Sequence, residues 1–268
     1  MTRLQRISIL VCLVAAVGAP LLTAHALLTH LGPMSAAYLY AAGESPGVAA
    51  MFAMLALGTL PVAGVVWFGG RWLHATRRLA HLTESARSAE LRGISYRRID
   101  STALLVFAVG IWRPQVYATA GAEQTLDDDQ LHAALLHEEG HIARGDTRWR
   151  VALLAARSAF WFAPGFRRSL TAIIASSEFL ADAHALNNGA CRRELFEAIL
   201  TAASPAPARS SGLSGGPVSE RLALIVSGNP APRLGVAKQV FAVPLSWVAL
   251  PVFAHLVVMC GVLCGGHP

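Results

Sequence analysis

The chain has 268 residues, of which 54% are apolar and only 14% charged, and its formal net charge is +6. Soluble domains carry about a quarter charged residues, so this composition excludes a disordered or coiled-coil protein and argues against a purely soluble one. Four cysteines are too few for a disulfide scaffold. No recognition motif or compact basic helix accompanies the positive charge, so direct nucleic-acid binding is not expected.

In chain order, Ile7 to Leu28 carries no charge apart from His25. It exceeds the roughly 18–20 residues that a helix needs to cross the hydrocarbon of a bilayer. Arg3 and Arg6 supply a basic start and Ala24-His25-Ala26 resembles a signal-peptidase site, but the apolar run is long for a signal peptide. Gly47 to Gly70 is a second uncharged stretch, and Gln239 to Gly266 a third, interrupted only by His255. The segment between Thr29 and Pro46 has no Lys or Arg; all 22 basic residues lie before Ile7 or between Arg71 and Lys238. Positive charge marks the cytoplasmic side of membrane proteins. The expected organisation is an N-terminal membrane region over 1–70 with spans at about 7–28 and 47–70, a cytoplasmic domain over 71–238, and a C-terminal span within 239–268. That is a multi-pass protein of the cell membrane, in contact with the lipid bilayer.

Within the long loop, Arg71 to Arg98 is rich in Ala, Leu and Arg and reads as a helix leaving the membrane. Thr102 to Val109 and Gln115 to Thr119 flank Arg113-Pro114 and predict two short strands. Leu126-Asp127-Asp128-Asp129 opens a helix with acidic residues at the positive end of its dipole; it runs to about Ala143 and closes at Gly145. A second helix, Val151 to Phe162, breaks at Pro164-Gly165, and a third, Arg168 to Asn187, ends at Asn188-Gly189. Ser204 to Pro217 is a Pro/Gly/Ser/Ala loop. Val151 to Phe166 carries Arg157 and is short for a span, so the 151–174 stretch is expected as a hairpin that contacts the membrane, with a helix of the domain core as the alternative. Cys12, Cys260 and Cys264 fall in spans and Cys191 in the loop; all four are expected as small buried hydrophobes in a reducing compartment.

The chemistry centres on His137-Glu138-Glu139-Gly140-His141, an H-E-x-x-H motif. On a helix, two histidines one turn apart share a face, about 6 Å from each other. Both imidazoles can then reach one ion, and two neutral nitrogens suit Zn2+. Glu138 sits on the rim of that face, placed to take a proton from water activated there. Catalytic zinc usually keeps three protein ligands, yet position 147 is Thr147, so no third histidine follows at close spacing. The third ligand is therefore sought further on. Glu178 lies in an apolar stretch where an unpaired carboxylate is costly. Asp182, one turn later, is placed to orient a ligating imidazole. The adjacent His184 is a weaker ligand candidate.

Leu136 to Asp146 resembles the zinc helix of the BlaR/MecR-type membrane metallopeptidases, which reads H-E-x-x-H-I-x-x-x-D. The likeness continues through Phe107 to Pro114, the Phe160-Trp161-Phe162-Ala163-Pro164 turn, Glu178-x-x-x-Asp182, and Ser219 to Leu224, covering about residues 100–226 in the family's order. It implies a mainly α polytopic membrane protein whose cytoplasmic domain is a gluzincin-like zinc endopeptidase, helical with a small β-sheet. His137, His141 and Glu178 are its metal ligands, Glu138 its catalytic base, Asp182 the residue behind the ligands and Zn2+ its cofactor. It also implies regulated proteolysis of a protein or peptide substrate, cytoplasmic or membrane-proximal, with a transcriptional repressor as a candidate. The family's additional N-terminal span and its penicillin-binding sensor domain have no counterpart here, so β-lactam sensing is not expected. Phe179 to Asp182 also resembles the HtpX and CAAX-prenyl-protease families. An HtpX-like quality-control protease and a non-catalytic signalling or scaffold protein with a vestigial zinc site are the alternatives.

Overall fold

The computed structural model describes residues 46–203 and 218–227, with the backbone alone over 46–58, and scattered positions between 6 and 21. The expected spans at 7–28 and 239–268 and the Ser204–Pro217 loop fall wholly or largely outside the described residues. Helix α1, Pro46–Glu84, contains the whole 47–70 stretch, with Pro61 inside it. Among the described residues no helix is long and apolar enough to cross a membrane.

The chain divides into two compact units. The first, over 72–151 and 171–235, holds the sheet and the H-E-x-x-H helix. Here the expected helix over Arg71–Arg98 is corrected. Helix α1 stops at Glu84, and strands β1 (Arg87–Leu91) and β2 (Ile94–Ile99) follow as a hairpin. Leu91 pairs with Ile94, leaving Arg92-Gly93 as a two-residue turn with φ of +52° and +86°. Two consecutive positive φ values match the turn to the twist of the strands. Glycine adopts its value without strain, whereas an arginine there hides the turn from a reading by residue type. Ile94 and Tyr96 are buried two residues apart on one face of the strand, and Ile99 is buried on the other.

Strands β3 (Val106–Val109) and β4 (Gln115–Thr119) complete a four-stranded sheet in the order β1-β2-β4-β3. β2 and β4 run parallel; β3 and β4 are antiparallel with Ala108 opposite Val116, so β3 is an edge. The short helix α2 (Ala120–Thr125) leads into α3 (Asp128–Arg144). A capping box starts α3: the Asp127 carboxylate accepts from the Gln130 amide at 2.8 Å and the Gln130 side chain from the Asp127 amide at 3.3 Å. Such a cap contributes about 1 kcal/mol. Leu131, Leu135 and Leu136 pack with Ile94, Val106 and Val116 in the core. Burying each leucine contributes roughly 1.5–3 kcal/mol, so this face seats α3 on the sheet. Gly145, in the left-handed conformation at φ +68°, ends α3 and donates its N–H to the His141 and Ile142 carbonyls.

Helix α4 (Asp146–Ala159) follows at once, five residues earlier than the apolar run suggested, because the glycine cap lets a new helix begin at Asp146. Helix α5 (Pro164–Asn187) likewise begins at the proline, whose fixed φ suits a first turn. Helices α6 (Arg192–Ala203) and α7 (Val218–Ser227), which the residue pattern did not reveal, pack against each other, and α6 also packs on α3. Cys191 is exposed and free, correcting its expected burial: it sits in the turn before α6.

The second unit includes, among the described residues, 46–71 of α1 and the 152–170 stretch. Phe160 and Phe166 are fully buried, in edge-to-face contact at 5.0 Å, and close the bend between α4 and α5. Described together, the two units are mainly helical with one small sheet, the class expected from the sequence.

Candidate metal centre

Helix α3 places His137 and His141 one turn apart, with ring centroids 4.9 Å from each other. Helix α5 brings Glu178 to them because Gly140 permits close approach: a Cβ at Gly140 would lie 2.9 Å from the His184 Cβ and 3.2 Å from the Ala181 Cα. One potential ligand atom from each of His137, His141 and Glu178 lies within 4.8 Å of the others. His137 Nε2 is 3.6 Å from Glu178 Oε2, and His141 Nε2 is 3.8 Å from Glu178 Oε1.

These donors fit a metal cation. Both distances exceed hydrogen-bond reach, and His137 Nε2 and Glu178 Oε2 are buried without a hydrogen-bond partner among the described residues. Leaving such groups unsatisfied costs on the order of 1–3 kcal/mol each, an arrangement that makes sense when they face an ion. Bonds of about 2.0–2.1 Å in a tetrahedron set donor atoms about 3.3 Å apart, a few tenths of an ångström inside the two His–Glu separations.

Carboxylates and guanidinium groups surround the three donors. Asp182 Oδ1 lies 2.8 Å from His137 Nδ1, so His137 turns Nε2 toward Glu178. Asp146, the first residue of α4, does the same for His141, with Oδ2 3.2 Å from Nδ1. Arg144 clamps Asp146 at 2.7 Å and donates to the Ser177 and Leu180 carbonyls at 3.1 and 2.9 Å, tying α3 to α5. Arg150 donates to Glu178 Oε1 at 2.9 Å. From α7, the fully buried Arg221 donates to both Asp182 oxygens at 2.6 and 2.8 Å and stands 3.5 Å from Glu178 Oε2.

These partners set the protonation states. Burial pushes His137 down, but Asp182 and Glu178 outweigh it and raise its pKa to about 9. In the ion-free protein the two carboxylates thus hold a proton where a cation would otherwise balance them. Burial alone would raise Glu178; His137, His141 and Arg150 hold it well below the usual carboxylate range instead. Asp182 is also held low, because Arg221 and His137 overcome its desolvation. Glu138 differs. Burial dominates and pushes its pKa up, although the Ala108 amide on β3 donates to Oε2 at 2.8 Å.

Residue reasoning did not assign roles to Asp146, Arg144, Arg150 or Arg221. The signal for Asp146 is its place as the last residue of the H-E-x-x-H-I-x-x-x-D pattern; for Arg221, a lone arginine on an otherwise apolar helix face. His184 stays outside the cluster, lining a separate cavity of about 820 Å³ with Glu139, Ile142 and residues of the sheet. Asp146→Asn and Asp182→Asn are each expected to weaken metal affinity on the order of 10–100-fold, read by Zn2+ titration against a competing chelator. Unchanged affinity in both would show that these carboxylates do not orient the imidazoles.

No curated protein and no solved structure matches the chain. The sequence profile of the family described as BlaR1 peptidase M56 matches residues 48–225, a stretch that contains all three donors of the cluster and Glu138. A match over that share of its length makes the protein a member of a metallopeptidase family whose substrates are proteins: the chain belongs to the BlaR1 peptidase M56 family.

Proposed function

We propose that the protein is a membrane-embedded zinc endopeptidase of the gluzincin type that cleaves a cytoplasmic or membrane-proximal protein. The observation that carries this reading is the convergence of His137, His141 and Glu178 within 4.8 Å beside the buried carboxyl of Glu138. His137, His141 and Glu178 would hold the ion, with Asp182 and Asp146 fixing the two imidazoles. When bound, zinc supplies a Lewis acid that activates water and polarises the scissile carbonyl.

The chain's own residues account for the remaining work. The Ala108 amide fixes one oxygen of Glu138, leaving Oε1 to accept a proton from the attacking water and return it to the departing amine. The raised pKa of Glu138 suits both transfers, since a carboxyl is most effective when its pKa approaches the working pH. β3 pairs with β4 on one side only, and its other edge offers backbone groups to an extended peptide beside Glu138.

The uncharged 47–70 stretch and the distribution of the basic residues support a multi-pass organisation with 71–238 facing the cytoplasm, and the hairpin at 151–174 touching the bilayer. Family membership supports regulated proteolysis, with a transcriptional repressor as the candidate substrate. Proteome-wide mapping of new N-termini in cells expressing the native protein or its Glu138→Gln variant tests the whole reading. A small set of native-only cuts in cytoplasmic proteins or cytoplasmic segments is expected. Identical termini in both cells would reject the peptidase. Cuts confined to extracytoplasmic segments would reverse the orientation, and broad cuts in unfolded membrane proteins would favour an HtpX-like role.

A further inference from the structure

In the second unit, α1 and α4 line a cavity of about 940 Å³ that contains none of the metal ligands. Its floor forms where Gly64 meets the Ser158 backbone so closely that a Cβ on residue 64 could not be accommodated. Trp67 and Trp161 stand at its walls, 68% and 52% exposed, and Arg71, Arg157 and Arg167 line it as well. Arg167 donates to the Trp161 carbonyl at 3.4 Å, which ties the third guanidinium to the backbone of the turn that carries the second indole. Among the described residues that line it there are three arginines and no Asp or Glu.

Three guanidinium groups lining one space make it favourable for an anion. Their planar forks match phosphate oxygens two at a time. The walls are apolar and aromatic, which a small soluble anion would not use, whereas an amphiphile would use both parts. Exposed tryptophans beside arginines are also the side chains found at the headgroup level of a bilayer. Arg71 is the first charge after the 47–70 stretch, so it stands where apolar sequence gives way to polar.

We propose that this cavity binds the phosphate headgroup of an anionic phospholipid, with Arg71, Arg157 and Arg167 on the phosphate and Trp67 and Trp161 against the glycerol and upper acyl chains. The proposal rests on the membrane reading above but not on peptidase activity.

The test uses the full chain reconstituted in phosphatidylcholine vesicles that contain a minor fraction of lipid with brominated chains, which quenches tryptophan fluorescence on contact. Brominated phosphatidylglycerol should reach half-maximal quenching at a roughly tenfold lower mole fraction than brominated phosphatidylcholine. Arg71→Gln/Arg157→Gln should abolish that preference while metal content and peptide hydrolysis stay near native values, which shows that the variant is folded. Arg157→Lys should retain part of the preference. Equal quenching by the two lipids in the native chain would overturn the proposal without touching the membrane reading. Failure of the chain to associate with either kind of vesicle would overturn both. Displacement of brominated phosphatidylglycerol by millimolar inorganic phosphate, as effective as displacement by unbrominated phosphatidylglycerol, would show a site for a soluble anion and reject the lipid.

Discussion

Glu138→Gln should lower peptide hydrolysis by at least about a hundredfold while leaving metal content and folding near native. Glutamine keeps the size of the side chain and still accepts the Ala108 amide that holds Oε2 at 2.8 Å. It cannot take a proton. Glu138 also lies outside the group of donor atoms formed by His137, His141 and Glu178, so the cluster loses no donor when its charge is removed. The change even relieves burial: the carboxyl is buried and its pKa is pushed up by desolvation, so a neutral amide is the less costly occupant. The melting temperature should therefore be equal to or slightly above that of the native protein. Metal analysis, a thermal melt and a peptide-cleavage assay on one preparation separate the outcomes. Metal lost in proportion to activity would make Glu138 structural, and full activity in the variant would reject a general-base mechanism at this site.

The parts of this site that could be read from the sequence are those set by local geometry. The spacing of His137 and His141 needs only the period of a helix, and the Asp127 cap and the Gly145 stop bound that helix by backbone chemistry alone. Glu178 and Asp182 stood out because carboxylates in an apolar stretch demand partners. What stayed hidden was set by tertiary contact. The partners themselves, Arg150 and Arg221, lie 28 and 39 residues from the carboxylates they meet, and no spacing rule links them. The β1–β2 hairpin was hidden for a different reason. Its turn places an arginine at positive φ, and its strands carry Arg, Ser, Glu and Ala, residues that composition assigns to a solvated helix. Its strand β2 also pairs with β4, a parallel contact closed only when the chain returns some twenty residues later. The edge strand beside Glu138 was expected as a strand, but not as the donor that fixes the base.

Arg221→Leu should destabilise the metal-site unit by roughly 3–5 kcal/mol, on the order of ten degrees in melting temperature. Arg221 has no exposed surface and makes a two-pronged contact with Asp182, itself 5% exposed, and an ion pair with Glu178, 1% exposed. Leucine fills much of the space but leaves two buried carboxylates without that cation. Removing one partner of a buried pair costs far more than replacing both by apolar groups. Burial would then push Asp182 up, since Arg221 is the foremost influence holding it down. A protonated Asp182 would no longer favour the charged form of His137, and its hold on the imidazole, now at 2.8 Å, would loosen. Arg221 thus links α7 to the metal centre. Arg221→Leu combined with Asp182→Asn should recover part of the lost stability, because the amide needs no counter-charge, while metal affinity stays reduced. Additive losses in the double variant would show that the pair is not coupled. A single variant that melts with the native protein would show that Arg221 does not latch α7 to the site.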